Sequence, residues 1–564
     1  MSYRFYLFLF LLFFTSSTTA LWPIPTSWSK GNEVLKVYST LSFHYSDNIL
    51  SSSAELHKII HSATQRLLQF MKEEKYTPPN KLIPIPERNA KTVERMYVEI
   101  ESDDVELGPD TDESYELIIP VGHSQDQPIT CHLKAKTVYG LLHGLTTFSL
   151  LLYSPPSSAD LVLPDAPHYI IDRPRFHHRG ILLDTSRNFY PETDILRTLD
   201  VMSWNKMNVF HWHIVDQHSW PVKSEVFPEL SEKGAYDPND MVYSKREIET
   251  IVEYAKMRGI RVIPEFDMPG HTYPISLSHP EIMTCLDQQP NWNWYAAEPP
   301  SGQLNPILPK TYDFVRQLIA ELSSWFPDKF WHTGGDEVNA HCWESTDSIR
   351  DYLSSNPGSS ISTVLQTFLN VEYDAVRDSG KTPVTWEEIL LNQGMGLAED
   401  VVIQVWTNSD RVKQVVAKKY RVIVGPGDFW YLDCGHGGWL GDWVDGNSWC
   451  DPFKTWQKVY SYNPVQDLNE EEAKYILGGE VLLWSEQADT TNFESLLWPR
   501  SSAAAEILWS GATDAHGNPR SVLTALPRLH EMRFRMVGRG IRAEPLQPLW
   551  CARTGKCNLP PSMK

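Results

Sequence analysis

From Arg179 onward the chain alternates short, mainly apolar runs with longer segments that are apolar on one side only. The runs read RGILLD (from Arg179), NVFHWHIV (from Asn208), RVIPEF (from Arg261), KFWHTG (from Lys329), PVTW (from Pro383), VVIQVW (from Val401), RVIVG (from Arg421) and GGEVLLW (from Gly478). Continuous apolar runs of this length suit strands that are covered on both faces. Between them, SKREIETIVEYAKMRG (from Ser244) and PKTYDFVRQLIAELSSWF (from Pro309) carry a helical period, the first opening on a serine cap. Strand and helix in turn, eight times over, predict an α/β fold: a (β/α)8 barrel of the TIM type. A doubly wound open sheet is the competing arrangement, and no glycine-rich phosphate turn follows the first strand to support it.

Upstream the texture differs. Strands are predicted at 93–100 and 114–120 and a helix at 137–152, which make a small α/β (α+β) domain over 21–166. The Pro- and Ser-rich stretch YSPPSSAD at 153–160 breaks that pattern, and the barrel is expected over 167–545, followed by a tail at 546–564. The first twenty residues, MSYRFYLFLFLLFFTSSTTA, combine Arg4, an apolar run at 5–14 and a small-residue site ending at Ala20. That run is too short to span a bilayer, so 1–20 is expected to be a cleaved secretory leader and not a stable membrane anchor. Seven cysteines in an exported chain predict three disulfides and one spare thiol. Position suggests Cys551 with Cys557, Cys434 with Cys450 and Cys285 with Cys342, leaving Cys131 free, although sequence alone keeps the other pairings open. A formal charge of −21 argues against nucleic acid and against anionic membrane surfaces.

The polar residues of the barrel fall where chemistry is expected, at the C-terminal ends of the strands. In strand order they are Asp184 and Arg187, Asp216, Asp267 and His271, Asp336 and Glu337, Trp386 and Glu387, Trp406, Tyr431 and Asp433, and Trp484 and Glu486. Each has a bland reading: Asp184 as a cap or ion-pair partner, Arg187 as a loop ion pair, each tryptophan as core. Their convergence on one face favours a site, and the chain's 21 tryptophans suit the flat apolar face of a sugar ring. His211 and His213 point to one side of a strand and, with His271 and Asp216, offer a metal-ligand set as the alternative. The preferred reading is an interior polar network that holds Asp216 and Glu337, with no metal and no cofactor.

Asp336 and Glu337 are adjacent, after two glycines, in HTGGDEVNAHCWE. Neighbours on an extended segment point apart, so they cannot flank one glycosidic bond as the usual carboxylate pair does. They do suit substrate-assisted hydrolysis, in which the carbonyl oxygen of a 2-acetamido group attacks the anomeric carbon. One acid then serves the leaving oxygen and the other the acetamide. Glu337 is expected to be the proton donor, with a raised pKa, and Asp336 to stay ionised beside the acetamide nitrogen.

The motifs LWPIP, DESYELIIP, TVYGLLHGLTTF, HHRGILLDTSRNFYP, NKMNVFHWHIVDQHSWP, PEFDMPGH, HTGGDEV, LGGEVLLWSEQAD and LWPRSSAAAEILWS occur in this order. Together they resemble the β-N-acetylhexosaminidases of glycoside hydrolase family 20, secreted fungal and plant members above all. The resemblance implies exo-acting, retaining removal of terminal N-acetylglucosamine or N-acetylgalactosamine from oligosaccharides and glycoconjugates. Among the residues it implies that Arg187 binds outer hydroxyls, that Asp216 and His271 act on Glu337, and that Asp336 and Tyr431 hold the acetamide. Trp386, Trp406 and Trp484 would enclose that group, and Glu486 and Asp433 would read further hydroxyls. An acid at Asp433, followed by Cys434 where some relatives carry a basic residue, would disfavour anionic sugars. The resemblance also implies a non-catalytic first domain and often a homodimer, and the aromatic loop at 289–300 would border either a second sugar or a dimer contact. The competing functions are a sugar-binding protein without catalysis, a metal-dependent hydrolase and a relative that releases disaccharide units.

Overall fold

The structure is a computed structural model that describes residues 20–557 apart from 80–82, 88–89, 123–126, 157–159 and 442–443. The leader expected at 1–20 lies, except for Ala20, outside the described residues.

Five strands form the first sheet: β1 (Ser27–Tyr45), β2 (Thr92–Ile100), β3 (Tyr115–Ile119), β4 (Ile129–Ala135) and β5 (Leu161–Asp172). Their order is β1-β2-β4-β3-β5, and the long β1 pairs with both β2 and β5, which closes the sheet. The burial of β3 and β4 alternates residue by residue, as expected of a sheet with one solvent face. Helices Ala54–Glu73 and Val138–Leu150 cover the other face, the second capped by Thr137, whose hydroxyl accepts from Tyr139 N. The domain edge expected at Ala166 falls inside β5, whose pairing with β1 and β3 runs on to Asp172.

The barrel strands are β6 (His178–Asp184), β7 (Val209–Val215), β8 (Arg261–Phe266), β11 (Phe330–His332), β12 (Thr382–Trp386), β13 (Val402–Val405), β14 (Arg421–Val424) and β15 (Ile476–Leu483). A two-stranded pair, β9 (Met283–Thr284) and β10 (Gln303–Leu304), sits in the long segment after β8. All eight barrel pairings are parallel and β15 closes on β6, so the predicted barrel forms and the open sheet does not. Every residue of β6, β7 and β8 is buried, which is why these strands read as mainly apolar runs.

The barrel interior is layered. At its base Val209, Ile263, Phe330, Val384, Val402 and Ile423 form an apolar plug. Near its mouth Leu182, Trp386, Tyr431, Leu482 and Trp484 form a second apolar cluster, with Trp406 against it. A layer of buried polar side chains lies between the two. Gly180 belongs to that layer, because a Cβ there would meet the Glu480 side chain.

One carboxylate stitches the first domain to the barrel base. Glu113 accepts from Arg179 Nη1 (2.9 Å) and Nη2 (2.6 Å), from Asn208 Nδ2 (3.0 Å), and lies 2.8 Å from His143 Nε2. Burial works against its charge, but Arg179 and His143 outweigh it and hold the carboxyl down to about 2. Glu113→Ala would strand the Arg179 guanidinium in a dry interior, so a loss of roughly 3–5 kcal/mol is expected in chemical denaturation. In the parent, this contribution is present above the ordinary glutamate range and is lost as pH falls toward 2.

Candidate active site

The strand ends deliver the expected residues to one cleft. Arg187, His271, Asp336, Glu337, Trp406, Tyr431, Asp433, Trp484 and Glu486 all line it. Trp386 does not itself line the cleft; it packs behind Trp484 and is almost wholly buried, at 1% exposure. The rings of Trp386 and Trp484 lie 6.1 Å apart, those of Tyr431 and Trp484 6.4 Å and those of Trp406 and Tyr431 6.2 Å, which makes an aromatic box.

Asp336 and Glu337 owe their positions to the glycines before them. Gly334 and Gly335 take φ of +66° and +92°, and Glu337 itself stands at +53°. A Cβ on Gly334 would overlap the Asp267 carboxylate, which accepts from Gly335 N at 2.8 Å. The backbone therefore coils at the strand end and carries both acids onto the cleft wall. Glu337 is held from behind by Glu388, which accepts from its backbone N–H at 2.6 Å. Burial, Asp336 and Glu337 push the Glu388 carboxyl up to about 8.

A chain of side chains leads away from Glu337. His271 Nε2 lies 3.1 Å from Glu337 Oε2, His271 Nδ1 lies 2.9 Å from Asp216 Oδ1, and Asp216 Oδ2 lies 2.7 Å from both His213 Nε2 and Arg187 Nη1. Arg187 and the histidines hold the Asp216 carboxyl far below its usual range against the effect of burial. The expected interior network of histidines exists. Both His213 nitrogens face carboxylates, and His211 Nδ1 lies 2.8 Å from Glu480.

Burial, Asp267 and Glu337 push the Asp336 carboxyl well above its usual range. Arg187 is already engaged: its Nη2 and Nε donate to Glu298 at 2.5 and 3.0 Å. Two strand-end acids prove to be scaffolding. Asp184 accepts from the backbone N–H groups of Ser186, Arg187 and Ser485, and Glu387 from those of Trp406 and Thr407.

Sequence reading missed Glu298, Trp439 and Trp449, which also line the cleft. Glu298 sits in the aromatic loop at 289–300 and Trp449 beside a cysteine, so the signals were present without a strand to place them. The three expected disulfides do form, and Cys131 is a buried free thiol. Cys285–Cys342 ties the segment carrying Glu298 to the helix Ala340–Ser345 that follows Glu337. Cys434–Cys450 closes the loop that bears Trp439 and Trp449.

Comparison with known proteins agrees with this geometry. Residues 176–512 match the family model for the glycosyl hydrolase family 20 catalytic domain, and 21–151 match a model described as β-acetyl hexosaminidase like. The chain is 35% identical to the β-hexosaminidase subunit beta of Felis catus over 545 residues, covering 94% of each chain. It is 33% identical to β-hexosaminidase 1 of Arabidopsis thaliana, covering 97% of each. Among solved structures it resembles the Flavobacterium johnsoniae chitobiase, with a TM-score of 0.73 at 26% identity, over 92% of this chain and 73% of that one. The chain belongs to glycosyl hydrolase family 20, and its activity is that of a glycosidase of the β-hexosaminidase type.

Proposed function

We propose that the protein is an exo-acting, retaining β-N-acetylhexosaminidase in which the substrate's own acetamide is the nucleophile. The observation that carries this reading is the aromatic box of Trp386, Trp406, Tyr431 and Trp484, opening beside Asp336 and Glu337. A planar amide fits such a box, and exclusion of water there protects a reactive intermediate. Glu337 gives its proton to the glycosidic oxygen as the acetamide carbonyl oxygen attacks C1, and an oxazolinium forms. Water then opens that ring, and the Glu337 carboxylate accepts a proton from it. Two inversions at C1 give net retention.

Asp336 is well matched to such a reaction. Burial, Asp267 and Glu337 work against its anion, and positive charge growing on the acetamide nitrogen favours it, so the contact strengthens toward the transition state. Tyr431 OH donates to the acetamide oxygen. Arg187, Glu298, Asp433 and Glu486 bind the outer hydroxyls and close that end of the cleft, which suits removal of one terminal sugar. Beyond Glu337 a second cavity lined by Val338, Asn339, His341, Glu388 and Gln393 receives the leaving group. Stereochemistry tests the reading: proton NMR should show the β-anomer of the sugar first, and initial α-anomer would refute it.

Burial pushes the Asp433 carboxyl up to about 7. Its repulsion of anionic sugars therefore grows as pH rises through 7. The ratio of kcat/KM for a neutral over a 6-sulfated substrate should climb across that range, and Asp433→Asn should flatten the climb.

Three disulfides are consistent with export through the secretory pathway, and among the described residues no helix is long and apolar enough to cross a membrane. The homodimer implied by the family is tested by sedimentation equilibrium, where a mass of two chains is expected.

A further inference from the structure

Glu265, on β8, lies at the centre of the buried polar layer and has no exposure. Its two oxygens face opposite halves of the active site. Oε2 lies 2.6 Å from His213 Nδ1 and 3.0 Å from His211 Nε2. Oε1 accepts from the indole Nε1 of Trp386 at 2.8 Å and lies 3.1 Å from His332 Nδ1. One side thus leads through His213 to Asp216, His271 and Glu337, and the other leads directly to Trp386 at the back of the aromatic box.

We propose that Glu265 is a positioning residue for the reaction: one buried carboxylate that orients both the proton chain behind Glu337 and the tryptophan at the back of the aromatic box. The inference rests on the proposed substrate-assisted reading and names a residue that reading leaves without a role.

The physical case begins with cost. A layer of carboxylates and imidazoles inside a barrel is no better for stability than well-packed apolar residues of like volume. Here the layer lies between an apolar plug and an aromatic cluster, where more apolar packing would fit. What the charges add is a defined proton arrangement. With Glu265 as a carboxylate, His213 donates from both nitrogens, Nδ1 to Glu265 and Nε2 to Asp216. Asp216 is then a carboxylate with fixed donors, and it accepts from His271 Nδ1–H. That leaves His271 Nε2 to meet Glu337 in either protonation state. The ring orientation of a histidine is set in this way by the partner of its other nitrogen.

The charged groups around this chain are few enough to name. His213 is faced by Glu265 and Asp216, and the Trp484 ring lies edge-on to it at 4.8 Å. Asp216 also faces Arg187 and His271, and Glu265 also faces His211 and His332. Asp267 feels both Glu265 and Asp216, and His271 lies between Asp216 and the Asp336–Glu337 pair. In Glu265→Gln, His213 loses the anion that favours its charged form. His213 stands one link closer to Glu337 along the chain than Glu265 does, so the change reaches Glu337 through Asp216 and His271.

The test is the pH dependence of kcat/KM and kcat for Glu265→Gln, with a β-N-acetylglucosaminyl disaccharide, whose sugar leaving group needs the Glu337 proton. The expected result is kcat lower by roughly 10- to 100-fold, the scale for losing a group that orients a catalytic one. KM should change little, because glutamine can still accept from Trp386, and the alkaline limb should shift by roughly half a unit or more. His213→Gln, which keeps a donor toward Asp216 but cuts the link to Glu265, should move the limb the same way if Glu265→Gln does not fold. A fall in activity with an unmoved limb in the folded variants would overturn the proposal. Parent enzyme that hydrolyses a β-glucoside as fast as the acetamido sugar would instead overturn the substrate-assisted reading, so the two failures are distinguishable.

Discussion

Glu337→Gln is expected to abolish most activity on natural glycosides while sparing activated ones. An alkoxide leaving group needs a proton in the transition state, and loss of a positioned general acid costs roughly 10²–10⁴-fold. A nitrophenolate leaves without help, so its release should fall far less. The geometry supports this division. Glu337 stands on the cleft wall, braced by Glu388 at its backbone N–H and by His271 at its carboxyl. Comparing kcat/KM across a series of aryl and sugar leaving groups checks the point. A uniform loss along the series would remove Glu337 from the role of acid.

Asp336→Asn is expected to slow the acetamido substrate by roughly 10²–10³-fold, the scale of one electrostatic contact made in the transition state. Leaving-group dependence should change little, because proton donation is untouched. The same variant should unfold at a higher temperature than the parent at neutral pH. In the parent, burial and Asp267 raise the Asp336 carboxyl above its unfolded value, so the folded state binds its proton more tightly. Stability from that proton is full at low pH and is lost as pH rises above the ordinary carboxylate range. Asparagine carries no such dependence. Lower activity together with a flatter stability profile marks a residue held in place for chemistry at some cost to the fold. If the variant loses activity and melts lower at neutral pH, Asp336 is structural.

The barrel was readable because its strands obey one rule. Buried on both faces, they appear as mainly apolar runs, and seven of the eight are longer than β11, where only Phe330–His332 pairs. The candidate site residues at their ends were readable for the same reason, since a polar residue that closes an apolar run is conspicuous. The first domain was harder. Much of β1 faces solvent, so its nineteen residues show little apolar signal, and its pairing with β5 depends on residues far away in sequence. Glu298 escaped because no strand carries it; its place is set by the loop path and by Arg187. The influence of Asp267 on Asp336 was not legible, because Asp267 is distant in sequence and is brought to the Gly334 turn only by the fold.

The central claim is that the acetamide performs the attack. Turnover of a nitrophenyl β-N-acetylglucosaminide should be measured beside that of the matching β-glucoside, with a chelator present. Rapid hydrolysis of the first and negligible hydrolysis of the second is the predicted result. Equal rates on both would mean an enzymic nucleophile and would contradict the account.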